Sequence, residues 1–150
     1  MTEIITAAAG FLIAVLWFDL MFDVQVLAHR GSKEVPETVL DSIGGYYRRV
    51  TTEAAPMGRL VGLVMVVLVG ALAVQAAEGE APVWVSLVSF AGAFTGIGLA
   101  GARVFRRARR LGAGEDPLWV RSSFARSIFR DHVVCLAAIA TVLAVQLAAA

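Results

Sequence analysis

Four uninterrupted apolar runs constrain this chain more than any other feature. They cover approximately residues 5–27, 57–77, 82–102 and 133–149. Each approaches the roughly 20 residues that carry a helix across a hydrocarbon core about 30 Å thick. In lipid, only helices and closed barrels satisfy their own backbone polar groups, and runs without polar alternation exclude the barrel. Composition agrees: the 150 residues are 59% hydrophobic and 17% charged, with a mean hydropathy of +0.77. Ordinary soluble domains are roughly 45–50% apolar and about 25% charged. The expectation is one all-α domain, an integral membrane four-helix bundle with amphipathic cytoplasmic loop segments. Cys135 is the sole cysteine, so no disulfide forms within the chain. The first run lacks a basic lead, opens with Glu3, and passes into charged sequence rather than a small-residue cleavage site. It reads as a retained helix and not as a signal peptide.

Charge sets the expected orientation. All 13 basic residues fall in two places. Arg30, Lys33, Arg48, Arg49 and Arg59 belong to the first loop or its edge; Arg103, Arg106, Arg107, Arg109, Arg110, Arg121, Arg126 and Arg130 belong to the third. The N-terminus, the short "AAEGEAP" connection and the "QLAAA" end hold none. Basic loops mark the cytoplasmic side. Loops 28–56 and 103–132 are therefore expected inside and both termini outside, in a bacterial-type plasma membrane.

Both long loops carry helical patterning. In the first, Pro36 suits a helix start, and Val39, Ile43, Tyr46 or Tyr47, and Val50 recur at helical spacing, with a bend or stop expected at Gly44-Gly45. In the third, "RVFRRARRL" continues the third span as a basic helix as far as "LGAGEDP". The stretch from Leu118, with Trp119, Phe124, Ile128 and Phe129 among arginines, reads as an interfacial lead-in to the last span. Arg48, Arg49, Arg106, Arg107, Arg109 and Arg110 are candidates for anionic headgroups. Topology alone accounts for the basic run, so nucleic acid is not an expected partner.

The third span has the small-residue step Gly92, Gly96 and Ala100, and a second small face of Ala91, Thr95, Gly98 and Ala102. Small residues let helices approach closely in lipid. This span is expected at the centre of the bundle, touching neighbours on both faces, with a homo-oligomer or larger membrane complex as the other use of such a surface. "LAVQ" occurs at 72–75 and again at 143–146, an offset that also superimposes Arg59 on Arg130. A duplication of two helices is geometrically allowed, although spans one and three do not match under it.

The stretch "LWFDLMFDVQVL" poses the chemical question, because Asp19 and Asp23 share one helical face inside an apolar segment. At 1.5 Å per residue, Asp19 lies about 12 Å before Leu27 and Asp23 about 6 Å before it. Asp19 is thus expected to be the deep carboxylate and Asp23 to approach the interface, with Trp17 and Phe18 turned elsewhere. A carboxylate at the bilayer centre costs roughly 2.5–3.5 kcal/mol on insertion scales, so it needs a partner, a proton or a cation. The last span begins at the same depth with Asp131, His132 and Cys135, while Arg59, Arg103 and Arg130 stand at the inner border. The expected polar cluster is Asp19, Asp23, Arg59, Arg103, Arg130, Asp131 and His132.

Three functions compete for this cluster. The leading one is a scaffold or accessory subunit whose helix register is fixed by the network. The second is ion, proton or metal transport, with Asp19, Asp23, His132 and Cys135 as the candidate donors, although no metal-ligand spacing is present. The third is an embedded enzyme, or a redox protein with haem held by His29 and His132. No nucleophile elbow, HExxH, glycine-rich phosphate loop or CxxC occurs, so a non-catalytic role is preferred and no cofactor is assigned.

Overall fold

The computed structural model describes residues 1–150 except for the side chain of Ala55. Helix α1 (Thr2–Asp23) tightens into a 3-10 segment at Val24–His29. The amphipathic α2 (Glu37–Arg48) starts behind Pro36, whose carbonyl accepts from the amides of Val39 and Leu40, both at 3.1 Å. It ends in a π-helical turn at Arg49–Glu53, closed by the Ala54 amide on the Arg49 carbonyl at 2.7 Å. Helix α3 (Ala55–Glu78) stops at Gly79, where φ is 66°. Helix α4 (Val83–Leu99) passes through a second π-helical turn, Ala100–Val104, into α5 (Phe105–Ala113), which stops at Gly114 with φ 72°. Glycine fits both stops because a left-handed backbone penalises a Cβ. Helix α6 (Leu118–Ala148) then runs unbroken for 31 residues.

Four segments are long and apolar enough to cross a membrane: Thr2–His29, Pro56–Glu78, Val83–Ala113 and Leu118–Ala148. The all-α four-helix bundle expected from the sequence is the fold observed. The last segment differs in extent. It starts 15 residues before the apolar run at 133, because the arginine-rich lead-in is collinear with the span. At 1.5 Å per residue, α6 is about 46 Å long, well over one hydrocarbon thickness.

Around the bundle, α1 packs on α3 and α6, and α4 packs on α3 and α6, so α3 and α6 face each other diagonally. Helix α2 lies across one end, against α5 and also touching α1 and α6. Two apolar clusters result. One fills the four-helix section with Ile5, Leu12, Leu68, Leu72, Ile139 and Val142. The other lies under α2, with Val26, Val35, Leu40, Ile43, Leu111 and Ile128.

Two packing expectations need correction. Helix α6, not α4, is the element with neighbours on several sides: Ala91, Thr95, Gly98 and Ala102 on α4 are exposed, and Ala100 is half-buried inside a π-helical turn. Nor do Gly44-Gly45 bend α2, which continues through both to Arg48. A Cβ on Gly44 would lie 2.8 Å from the Leu111 carbonyl oxygen, so this glycine serves a close helix crossing.

Gly92 and Gly96 both face α6. A Cβ on Gly92 would lie 2.8 Å from the Ala138 carbonyl oxygen and 2.8 Å from Val142 Cγ2. At Gly96 the nearest atoms are Ile139 Cδ1 and Cγ1, at 3.2 and 3.3 Å. Backbone cannot yield as a side chain can. Gly92→Ala should therefore cost about 1–3 kcal/mol, and Gly96→Ala less. Thermal unfolding in detergent reads the order, and equal stability of Gly92→Ala and the parent would refute the close approach.

Candidate functional site: a buried polar layer

Along α1 the sequence runs from Leu12 of the first apolar cluster, past Asp19 and Asp23, to Val26 of the second. Along α6 it runs from Ile139, past Cys135, His132 and Asp131, to Ile128. The polar residues thus form a layer between two apolar ones, closed by α2.

His132 is its centre. Nδ1 lies 2.6 Å from Asp23 Oδ2, and Nε2 lies 3.7 Å from Asp19 Oδ2. Each carboxylate accepts a second contact from α2: the Tyr46 hydroxyl donates to Asp19 Oδ1 at 2.7 Å, and the Tyr47 hydroxyl donates to Asp23 Oδ1 at 2.7 Å. The result is one imidazole between two Asp–Tyr arms. Tyr46 is held in turn by stacking on Phe22, with ring centroids 4.2 Å apart. Burial pushes both phenols up from their ordinary pKa, and the adjacent Asp19 and Asp23 carboxylates push them further. Both hydroxyls therefore keep their protons and serve as donors.

The two acids differ in how far protein encloses them, which distance along α1 does not set. The Asp23 side chain is 0% exposed and that of Asp19 is 15% exposed. Helix α2 folds over that end of the bundle and seals Asp23 beneath Tyr47. Trp17 and Phe18 point outward, at 62% and 60% exposure.

Asp131, one residue from His132, faces a second group. Arg103 Nη2 lies 3.4 Å from its Oδ1 and Arg107 Nη1 lies 3.3 Å from its Oδ2, and Arg107 also donates to Ser127. The three carboxylates thus face two guanidiniums and the imidazole of His132. A buried ionic group is tolerable only when paired in this way.

The other expected members lie elsewhere. Arg59 is exposed and makes no ion pair among the described residues. Arg130 is exposed on the far side of α6, lining a surface cavity. The first turns of α3 and the outward register of position 130 carry both guanidiniums away from the acids. Cys135 donates to the Gly96 carbonyl at 3.5 Å and packs between helices. Among the described residues, no three His, Cys, Asp or Glu side chains are grouped to hold a metal ion. Both ring nitrogens of His132 face carboxylates, Nδ1 within hydrogen-bond distance and Nε2 beyond it. Of the headgroup candidates, Arg107 turns inward to Asp131, Arg110 pairs with Asp116, and Arg48 pairs with Glu53 at 3.5 Å; Arg49, Arg106 and Arg109 are exposed.

Sequence reasoning missed the tyrosines as site residues, having read them only as marks of helical spacing. The available signal was chemical: two phenols on a short amphipathic helix, on the same side as two buried acids in need of donors. It also missed Arg121, which is buried and bonds Asp41 at 2.6 Å, fastening α6 to α2.

The opposite end of the bundle has a smaller polar group. Gln75 and Gln146 exchange two amide hydrogen bonds, of 2.9 and 3.0 Å, across the α3–α6 diagonal. Gln146 also donates to Ser89, and Gln75 to Thr2. These glutamines close the two "LAVQ" segments, so the 71-residue offset brings equivalent side chains together.

No family model matches this chain, and no curated protein or solved structure matches it either.

Proposed function

We propose that the chain is a small multi-pass scaffold or accessory subunit of a bacterial-type plasma membrane, organised by the polar layer at its cytoplasmic half. In this reading both termini lie outside, loops 28–56 and 103–132 lie inside, and the exposed Arg49, Arg106 and Arg109 meet anionic headgroups. The exposed small face of α4 offers a contact for a second copy or for a larger complex. The observation that carries the reading is the pairing of the acids: both oxygens of Asp23 are taken by Tyr47 and His132, and Asp131 is taken by two arginines. A carrier needs acids that exchange partners with a cation. Here those positions hold protein donors, and the section beyond is filled by Ile5, Leu12, Leu68, Leu72, Ile139 and Val142.

One observation favours proton transport as the second reading: Asp19 is partly exposed at the edge of the run Tyr46–Asp19–His132–Asp23–Tyr47. The test is proton uptake by liposomes holding the full chain, with an entrapped pH dye and an imposed potential. Uptake should equal that of empty liposomes for the parent and for Asp19→Asn. Uptake that the parent supports and Asp19→Asn abolishes would replace the scaffold by a proton pathway.

A further inference from the structure

On the face of α6 away from the polar layer, an open cavity of about 410 Å³ is lined by Lys33, Trp119, Ser122, Ser123, Arg126 and Arg130. Five of these lie on α6 at offsets of 0, 3, 4, 7 and 11 residues, which places them on one helical stripe. Lys33 comes from the loop between α1 and α2 and closes the other side. The cavity is cationic without compensation: among the described residues, Lys33, Arg126 and Arg130 make no ion pair with any carboxylate. Of the nearby acids, Asp41 is engaged with Arg121 and Asp131 with Arg103 and Arg107, while Glu34, next to Lys33 in the chain, makes no ion pair among the described residues.

The wall is built rather than loose. Arg126 Nη2 donates to the carbonyls of His29 at 3.1 Å and Ser32 at 2.7 Å, which fixes the guanidinium and ties down the loop that carries Lys33. Its buried Nε has no hydrogen-bond partner among the described residues. Ser122, 2% exposed, accepts from the Val35 amide at 2.9 Å through Oγ and retains its own hydroxyl hydrogen for donation. Trp119, 65% exposed, stands at the rim. Three cations, hydroxyl donors and a rim indole match a phosphate group carried beside apolar matter.

We infer that this cavity binds a phosphate group, either that of an anionic phospholipid or that of a soluble phosphate compound. The lipid source rests on the membrane placement proposed above. It is a different site from the exposed arginines of α2 and α5, because it is concave and its donors converge.

The experiment uses the full chain in two settings. In nanodiscs, thermal stability is compared between pure phosphatidylcholine and a mixture with phosphatidylglycerol. In detergent, inorganic phosphate is titrated against chloride at equal ionic strength. Lys33→Gln/Arg130→Gln removes two exposed, unpaired charges and should leave the fold intact. Arg30→Gln/Arg59→Gln, two exposed arginines outside both the cavity and the proposed headgroup contacts, is the control for general surface charge. Preferential stabilisation by phosphatidylglycerol, weakened on the order of fivefold in lipid affinity per charge removed at the cavity and retained by the control, supports a lipid site. The same pattern with inorganic phosphate alone supports a soluble ligand. No preference in either setting, or equal loss in the control, overturns the site. Failure to enter nanodiscs would count against the membrane reading, while the detergent arm still decides whether phosphate binds.

Discussion

Replacing Asp23 with leucine is expected to destabilise the folded chain by about 3–5 kcal/mol, the cost of removing one member of a buried charged pair. Asp23 is fully enclosed, and its two oxygens serve Tyr47 and His132 at 2.7 and 2.6 Å. A leucine would leave a buried phenol and a buried imidazole without their acceptor, and that desolvation term outweighs the gain in apolar volume. Asp23→Asn should cost about 1–3 kcal/mol, since the amide oxygen still accepts from Tyr47 while the charge facing His132 is gone. Tyr47→Phe removes a single donor and should cost about 1 kcal/mol.

A double variant separates pairing from mere crowding. If the aspartate matters because it answers His132, then Asp23→Leu/His132→Leu should be less damaging than the sum of the two single changes. Denaturation of the purified chain in mixed micelles, followed by tryptophan emission, measures all four. Asp23→Leu unfolding within about 0.5 kcal/mol of the parent, the range of ordinary surface changes, would falsify the pairing. Asp19→Leu should be milder than Asp23→Leu because the Asp19 side chain is partly exposed whereas Asp23 is fully enclosed.

The enclosure of Asp23 marks where the sequence stops being legible. Apolar run length fixes the span of each helix through bilayer thickness, so the four-helix class could be read directly. The i, i+4 spacing of Asp19 and Asp23 could be read as a shared face for the same reason: helix geometry is local. Burial of Asp23 is not local. It depends on α2 folding back over the bundle, and nothing in "LWFDLMFDVQVL" encodes that return. The arginines show the same limit. Arg103 and Arg107 lie four apart, the spacing that puts two side chains on one helical face, and both meet Asp131, while Arg59 and Arg130 miss the acids. Sequence places Arg59, Arg103 and Arg130 near the expected inner border and Arg107 in the basic helix beyond it, and only the rotation of each helix selects among them. Gly44-Gly45 was misread because glycine signals both a chain break and a close contact, and the deciding fact is the neighbour across the interface.

That interface supports the second large effect. Gly44→Ala and Gly112→Ala should each destabilise the chain by about 1–3 kcal/mol, and Gly45→Ala should be neutral or stabilising by up to about 1 kcal/mol. The three sites differ in what a methyl group would meet. At Gly44 it lies 2.8 Å from the Leu111 carbonyl oxygen; at Gly112 it lies 2.7 Å from the Arg48 nitrogen and 3.0 Å from its Cα; at Gly45 nothing stands within 4 Å. In the first two the methyl meets backbone, so relief requires α2 and α5 to separate. At Gly45 the added methyl only restricts the unfolded chain and favours the helix. The consequence reaches the polar layer. Tyr46 and Tyr47 follow Gly44 on the same helix, so lifting α2 from α5 draws their hydroxyls away from Asp19 and Asp23. Gly112→Ala should therefore lose stability and also erase most of the additional cost of Tyr47→Phe, because the hydrogen bond removed by the phenylalanine is already weakened. Additive losses in Gly112→Ala/Tyr47→Phe would show that α2 holds its tyrosines over the acids independently of α5, and the glycine crossing would then be packing without influence on the site.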